Sequence, residues 1–216
     1  EGHGLSLART SPDLFWGRNL QIESETIVAA DTQFLNDYFG RLETFARPND
    51  AVFEQLGQVR DLWVRSKNAG GKVIFIGNGG SAGIASHLAI DLGKNGHIPA
   101  ACFNDGAQIT CLSNDYGFEN WIAHALRIQG KPEDTLVAIS SSGGSKNILN
   151  AVEQARKMGI SVTTCSAMNP ENPLRKLGDV NLWADSHAYN IVETVHQFWM
   201  MAVIDMIIGK AEYPPN

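Results

Sequence analysis

Apolar residues recur every three or four positions from Ile27 to Phe45, through Phe34, Leu35, Tyr38, Phe39 and Leu42. That period predicts an amphipathic helix, which Pro48 ends. The period returns from Ala51 to Lys67 and stops at Ala69-Gly70-Gly71. Val73–Ile76 differs: four consecutive apolar residues halted by glycine, the pattern of a strand buried on both faces. Gly77-Asn78-Gly79-Gly80-Ser81 follows, and Ser81 can cap a helix that starts at Ala82. A short strand is expected over Pro99–Phe103, with a turn at Asn104–Ala107 and a new element at Gln108–Ser113. Asn114–Phe118 reads as a loop and Glu119–Ile128 as a helix, broken by Gly130-Lys131-Pro132. Thr135–Ile139 is a second unbroken apolar run. It leads through the Ser140–Ser145 loop into a helix over Lys146–Lys157. Ile160–Ser166 and Asp179–Trp183 read as strands, with a loop at Asn169–Pro173 between them. A closing helix runs from about Ala188 to Ile208.

Repeated strand-then-helix units predict an α/β fold: a three-layer αβα sandwich on a mostly parallel, doubly wound sheet. The two helices before the first strand are extra. They either cover the sheet or build an oligomer interface. Residues 1–25 are weakly patterned and expected as a loose arm. Glu1-Gly-His-Gly4 reads as an expression scar or a trimmed end and is left out of fold reasoning. Residues 26–216 are expected as one domain, which a chain of 216 residues accommodates with a sizeable core.

Chemistry concentrates in the two loops that follow apolar strands. Glycines let the backbone turn tightly and approach a ligand. A helix N-terminus behind such a turn presents free N–H groups and the positive end of its dipole to an anion. Ser140-Ser-Ser-Gly-Gly-Ser145 adds four hydroxyls, which suits a phosphate. His87 and Asp91 stand one turn apart on the helix after the first loop. The closing helix carries Asn190, Glu193, His196, Gln197 and Met201 in an otherwise apolar body. A buried Glu there must be paired, hydrogen-bonded or neutral. Glu193 and His196, three positions apart, are therefore candidates for chemistry. His97, His124 and His187 read as structural or surface, and Trp121, Trp183 and Trp199 as core.

Three motifs, Gly77–Ser81, Ile109–Phe118 (ITCLSNDYGF) and Ile139–Ser145 (ISSSGGS), in that order resemble the sugar isomerase (SIS) domain. Within it the chain is most similar to the phosphoheptose isomerase group, from about Phe53 onward. The resemblance implies a flavodoxin-like fold, a homotetramer with sites near subunit contacts, and aldose–ketose interconversion of a sugar phosphate such as sedoheptulose 7-phosphate, feeding heptose synthesis for surface polysaccharide. It implies substrate binding by Asn78, Gly79, Gly80, Ser81, Asn114, Asp115, Ser140, Ser141, Ser142, Ser145 and Glu193. The group carries a His and a Glu four apart after the first loop, and a Gln and a His eight apart on the closing helix. Together these four can bind zinc. Here the positions hold His87, Asp91, Glu193 and Met201, and Asn190 stands where an Asp is usual.

These departures alter the chemistry. Asp91 is one methylene shorter than Glu, so its oxygens retreat by about 1.5 Å, and displacements near 1 Å can cost about 10²-fold in rate. Met201 transfers no proton, and its thioether is a poor zinc ligand. Moving a proton between neighbouring carbons needs a base at carbon and an acid at the carbonyl oxygen. Two arrangements supply them. With Asp91, Glu193 and His196 as the catalytic candidates, either Glu193 is the base with His196 or His87 as acid, or His87, Asp91 and Glu193 hold a metal that polarises the carbonyl. A protein that keeps the fold and binds phosphosugars as an adaptor or regulator, without catalysis, is the competing reading. A different reaction on the same scaffold is a third.

The net charge of −6 offers no basic stripe for nucleic acid, and no nucleotide cofactor is expected. Cys102, Cys111 and Cys165 form no CxxC and no disulfide framework, which points to a reducing cytoplasm. The longest apolar run, Phe198–Ile208, contains Asp205 and is too short to span a bilayer, so no membrane partner is expected.

Overall fold

The structure is a computed structural model and describes residues 24–214. The described residues divide into two compact units at Gly40, 24–40 and 41–214. Of the arm expected at residues 1–25, only Ser24 and Glu25 are described, and both belong to helix α1, Ser24–Ala46. Phe34, Leu35 and Phe39 on α1 are exposed, and Tyr38 packs its ring on Phe34.

Five strands carry the second unit: β1 (Val73–Ile76), β2 (Ala100–Cys102), β3 (Thr135–Ile139), β4 (Ser161–Ala167) and β5 (Val180–Ala184). They are all parallel, in the order β2-β1-β3-β4-β5. β1 and β3 are buried at every residue, as their unbroken apolar runs require. Ile74, Ile76, Leu136 and Ala138 face one layer, formed by α4 (Gly106–Tyr116), α5 (Trp121–Gln129) and α6 (Lys146–Lys157). The opposite layer holds α2 (Asp50–Asn68), α3 (Gly80–Lys94) and α7 (Tyr189–Ile208). There Trp63 of α2 meets Phe75 edge-on, ring centroids 5.5 Å apart.

The two readings of the N-terminal helices thus separate. α2 covers the sheet: Asn49 caps it by accepting from Val52 N, and Val52, Leu56, Val59, Leu62 and Trp63 are buried. Gln55 also donates to the carbonyl of Asn181 on β5. On α1, by contrast, Phe34, Leu35 and Phe39 stay exposed, and Tyr38, Leu42 and Phe45 are half-buried.

α7 has the length and apolar composition of a membrane-crossing helix, which the apolar run counted from Phe198 alone understates. One face of it is core, however: Ile191, Val192, Val195, Trp199, Met200, Val203 and Ile204 are buried against the protein, while Phe198 and Met206 are exposed. Trp199 Nε1 donates to the Ala46 carbonyl.

Candidate active site

The strand order reverses direction between β1 and β3, and crevices at such points, beyond the strand C-termini, are where α/β sheets hold ligands. Register completes the argument. Ile76 pairs with Ala138, so the loops leaving β1 and β3 emerge level and side by side. Asn78 and Asn147 lock them together through two reciprocal amide hydrogen bonds, of 2.9 and 2.8 Å. The two Gly/Ser loops therefore share one cavity, of about 130 Å³, lined by Asn78, Ser81, Ile139, Ser140, Ser141, Ser142, Ser145, Tyr189 and Glu193.

Local sequence explains the geometry. Gly79 takes φ +54°, a backbone that side chains resist, and acts as the N-cap of α3 without a side-chain bond. α3 consequently starts at Gly80, and Ser81 lies within its first turn rather than capping it. Gly80 lies close under Glu193: a Cβ there would overlap its carboxylate unless that side chain moved. That carboxylate thus rests on the N-terminal turn of α3, where the helix dipole favours negative charge. In the second loop Gly143 adopts φ +63° and Ser145 caps α6 with no side-chain bond. Ser140 Oγ donates to Ser145 Oγ and Gly144 N to Ser142 Oγ. Ser141 Oγ is buried and finds no partner among the described residues. A buried hydroxyl without a partner is left for water or another acceptor to satisfy, and Ser141 is one of the residues that line the cavity.

Other expected site residues lie elsewhere. His196 is fully buried with Nε2 on the carbonyl of Ser166 at 3.0 Å, and its Nδ1 has no partner among the described residues. It belongs to the core and not to the cavity, because the three-residue offset from Glu193 turns it toward β4. Asn114 and Asp115 sit in the last turn of α4, not in a loop. They are exposed and bonded to each other, outside the cavity lining. His87 and Asp91 do meet, Nε2 to Oδ2 at 3.3 Å. Asp91 also accepts from Asn95 Nδ2, and His87 also meets Gln197, whose Nε2 lies 3.0 Å from His87 Nδ1 and 4.0 Å from Met201 Sδ. Both contacts suit an amide N–H₂ group, which leaves the imidazole proton on Nε2, facing Asp91.

Zinc needs three or four N, S or O donors converging on one point. Among the described residues no group of three His, Cys, Asp or Glu does so. His87 and Asp91 are together, but the Glu193 carboxylate lies against Gly80, and the other side chain bonded to His87 is the Gln197 amide. The expected set of His87, Asp91 and Glu193 does not fit zinc within one chain. Prolonged incubation with a chelator is expected to leave turnover unchanged. Loss of activity that zinc restores would refute this.

Burial of His196 has a consequence for stability. It pushes the imidazole pKa down to about 4, with the bond to Ser166 opposing the shift in part. The folded state resists the proton that the unfolded chain accepts near pH 6.5, so stability present above that pH drains away as pH falls to about 4. The loss amounts to about 3 kcal/mol over the window. In urea titrations from pH 7 to 4, His196→Leu is expected to flatten this part of the profile. An unchanged slope would contradict the assignment.

Tyr189 is absent from the motifs, and Gln197, noted on the closing helix, had no role assigned by them. Tyr189 was within reach: it precedes Glu193 by four positions and so shares its helix face.

A family model described as SIS domain matches residues 34–166. The phosphoheptose isomerase of Rhodospirillum rubrum is 40% identical over 144 residues, 64% of this chain and 73% of that one. That of Helicobacter pylori is 28% identical over 183 residues, 82% and 95% of the two chains. The solved phosphoheptose isomerase of Francisella tularensis superposes with a TM-score of 0.72 at 26% identity, over 86% of this chain and 99% of that one. The corresponding enzyme of Neisseria gonorrhoeae gives 0.70 at 26% identity, over 84% and 98%. The loop motifs, the strand order and these likenesses agree: the chain belongs to the SIS domain family and, within it, to the phosphoheptose isomerases.

Proposed function

We propose that this chain interconverts a ketose phosphate and its aldose isomer, with sedoheptulose 7-phosphate as the substrate to try first, and that it feeds heptose synthesis for surface polysaccharide. The observation that carries this reading is the single cavity lined by Ser140, Ser141, Ser142 and Ser145 of the second loop together with Glu193. Serine hydroxyls and free backbone N–H groups at the start of α6 take the phosphate. Remote binding of that group positions the sugar. Glu193, which shares the lining, removes the carbon-bound proton next to the carbonyl, forming an enediol, and returns it to the neighbouring carbon. Asp91 and His87, paired to each other away from the lining, support α3 beside this centre in this reading.

The acting species is a homotetramer in this proposal, and its place is the cytoplasm, where sugar phosphates are retained. Exposed apolar side chains support association: Phe34, Leu35 and Phe39 on α1, and separately Ile90 and Phe198 on the second unit. Light scattering tests the assembly. The reaction is tested by incubating the protein with a panel of ketose and aldose phosphates, with and without zinc, and following the carbonyl form by NMR. Conversion of none of them, with phosphosugar still bound, would favour the regulatory reading.

A further inference from the structure

Resting on that isomerase reading, we infer that Tyr189 is the acid that serves the substrate's oxygens, so that the reaction runs on a carboxylate and a phenol from one helix. The reaction requires two proton-handling groups. Among the side chains lining the cavity only Glu193 is a carboxylate and only Tyr189 is a second acid of useful strength. The serine hydroxyls hold their protons far more tightly and are taken up by the phosphate. The groups otherwise expected for the role are spent elsewhere: His196 is sealed in the core on Ser166, and position 201 holds methionine. His87 is tied between Asp91 and Gln197 and is not among the lining residues.

The placement suits the task. Tyr189 is the first residue of α7 and Glu193 stands one turn on, about 6 Å along the axis. The tyrosine is 59% exposed, so its ring borders the mouth of the cavity while the carboxylate lies deeper, against Gly80. In the ketose-to-aldose direction Glu193 takes a proton from C1 and the phenol gives its proton to the C2 oxygen, which yields the neutral enediol. The phenolate then takes the proton of the C1 hydroxyl as that carbon becomes the aldehyde, and Glu193 delivers its proton to C2. Both side chains end as they began. A phenol donating to a developing enolate oxygen is an established device of proton-transfer enzymes.

The test compares wild type, Tyr189→Phe and Tyr189→His on sedoheptulose 7-phosphate, with inorganic phosphate as competitor. Tyr189→Phe is expected to lower kcat about 10²-fold, the cost of removing one oxyanion donor. KM and inhibition by phosphate should change by less than about threefold, because uniform binding is untouched. Tyr189→His, which restores a donor, is expected to recover about tenfold. A Tyr189→Phe enzyme within about threefold of wild type in kcat overturns the inference while leaving the isomerase reading intact, and so does a rise in KM alone. An inert wild type overturns both.

Discussion

Glu193→Gln is expected to lower kcat by about 10³-fold, within the range that loss of a positioned general base produces. KM should stay level or fall, because the substitution removes a negative charge from the neighbourhood of a bound phosphate. The amide is nearly the same size as the carboxylate, so the close seat against Gly80 survives and the fold is not taxed. Wash-in of solvent deuterium at the carbon next to the carbonyl reads the step directly, and it should disappear along with net conversion. Asp91→Asn is the control. Its carboxylate pairs with His87 on the flank of α3 and does not line the cavity, so its effect should remain below about tenfold. Should the two variants behave the other way round, with Asp91→Asn silent enzyme and Glu193→Gln active, the base has been misassigned.

Gly143→Ala is expected to damage both stability and phosphate affinity. Its φ of +63° costs about 1–2 kcal/mol for a residue with a Cβ. The added methyl would also run into the side chain of Asn172. That side chain has no room to swing away. It is buried, its Nδ2 donates to Ser166 Oγ, Ala167 O and Asn169 O, and its Oδ1 accepts from Arg175 N. Overpacking of such a site costs a further 1–3 kcal/mol, about 2–5 kcal/mol in all. Because Gly143 N also donates to Ser140 O, the strain is relieved by moving the serine loop itself. Urea unfolding should report the loss, and inhibition by inorganic phosphate should weaken by more than about tenfold. Gly144→Ala, one residue on, has an ordinary φ and only Ser142 Oγ near its new Cβ at 4.0 Å. It should be close to neutral, and equal effects from the two glycines would refute the account.

Local pattern carried much of the architecture. Unbroken apolar runs marked β1 and β3, because a central parallel strand has no polar face to show. Helical period marked α2, α6 and α7 to within a residue or two at each end. The Gly/Ser loops announced an anion site because turn, hydroxyls and helix start are adjacent along the chain. The start of α3 was misplaced by two residues because glycine backbone, and not the serine hydroxyl, ends the turn. Asn114 to Tyr116 looked like a loop from composition, yet they complete the last turn of α4, where packing outweighs weak propensity.

What the chain order alone established, then, is the strand-helix alternation, the two phosphate-type loops and the candidate acids. What required the folded chain is which candidates meet. Helical spacing gives a face but not its target: Glu193 and His196 share a stripe on paper, yet one reaches Gly80 and the other the Ser166 carbonyl. Gln197 rather than Glu193 joins His87, and Tyr189 enters the cavity, because the lateral seating of α7 on α3 is set by packing of many apolar side chains at once. No short motif encodes that sum.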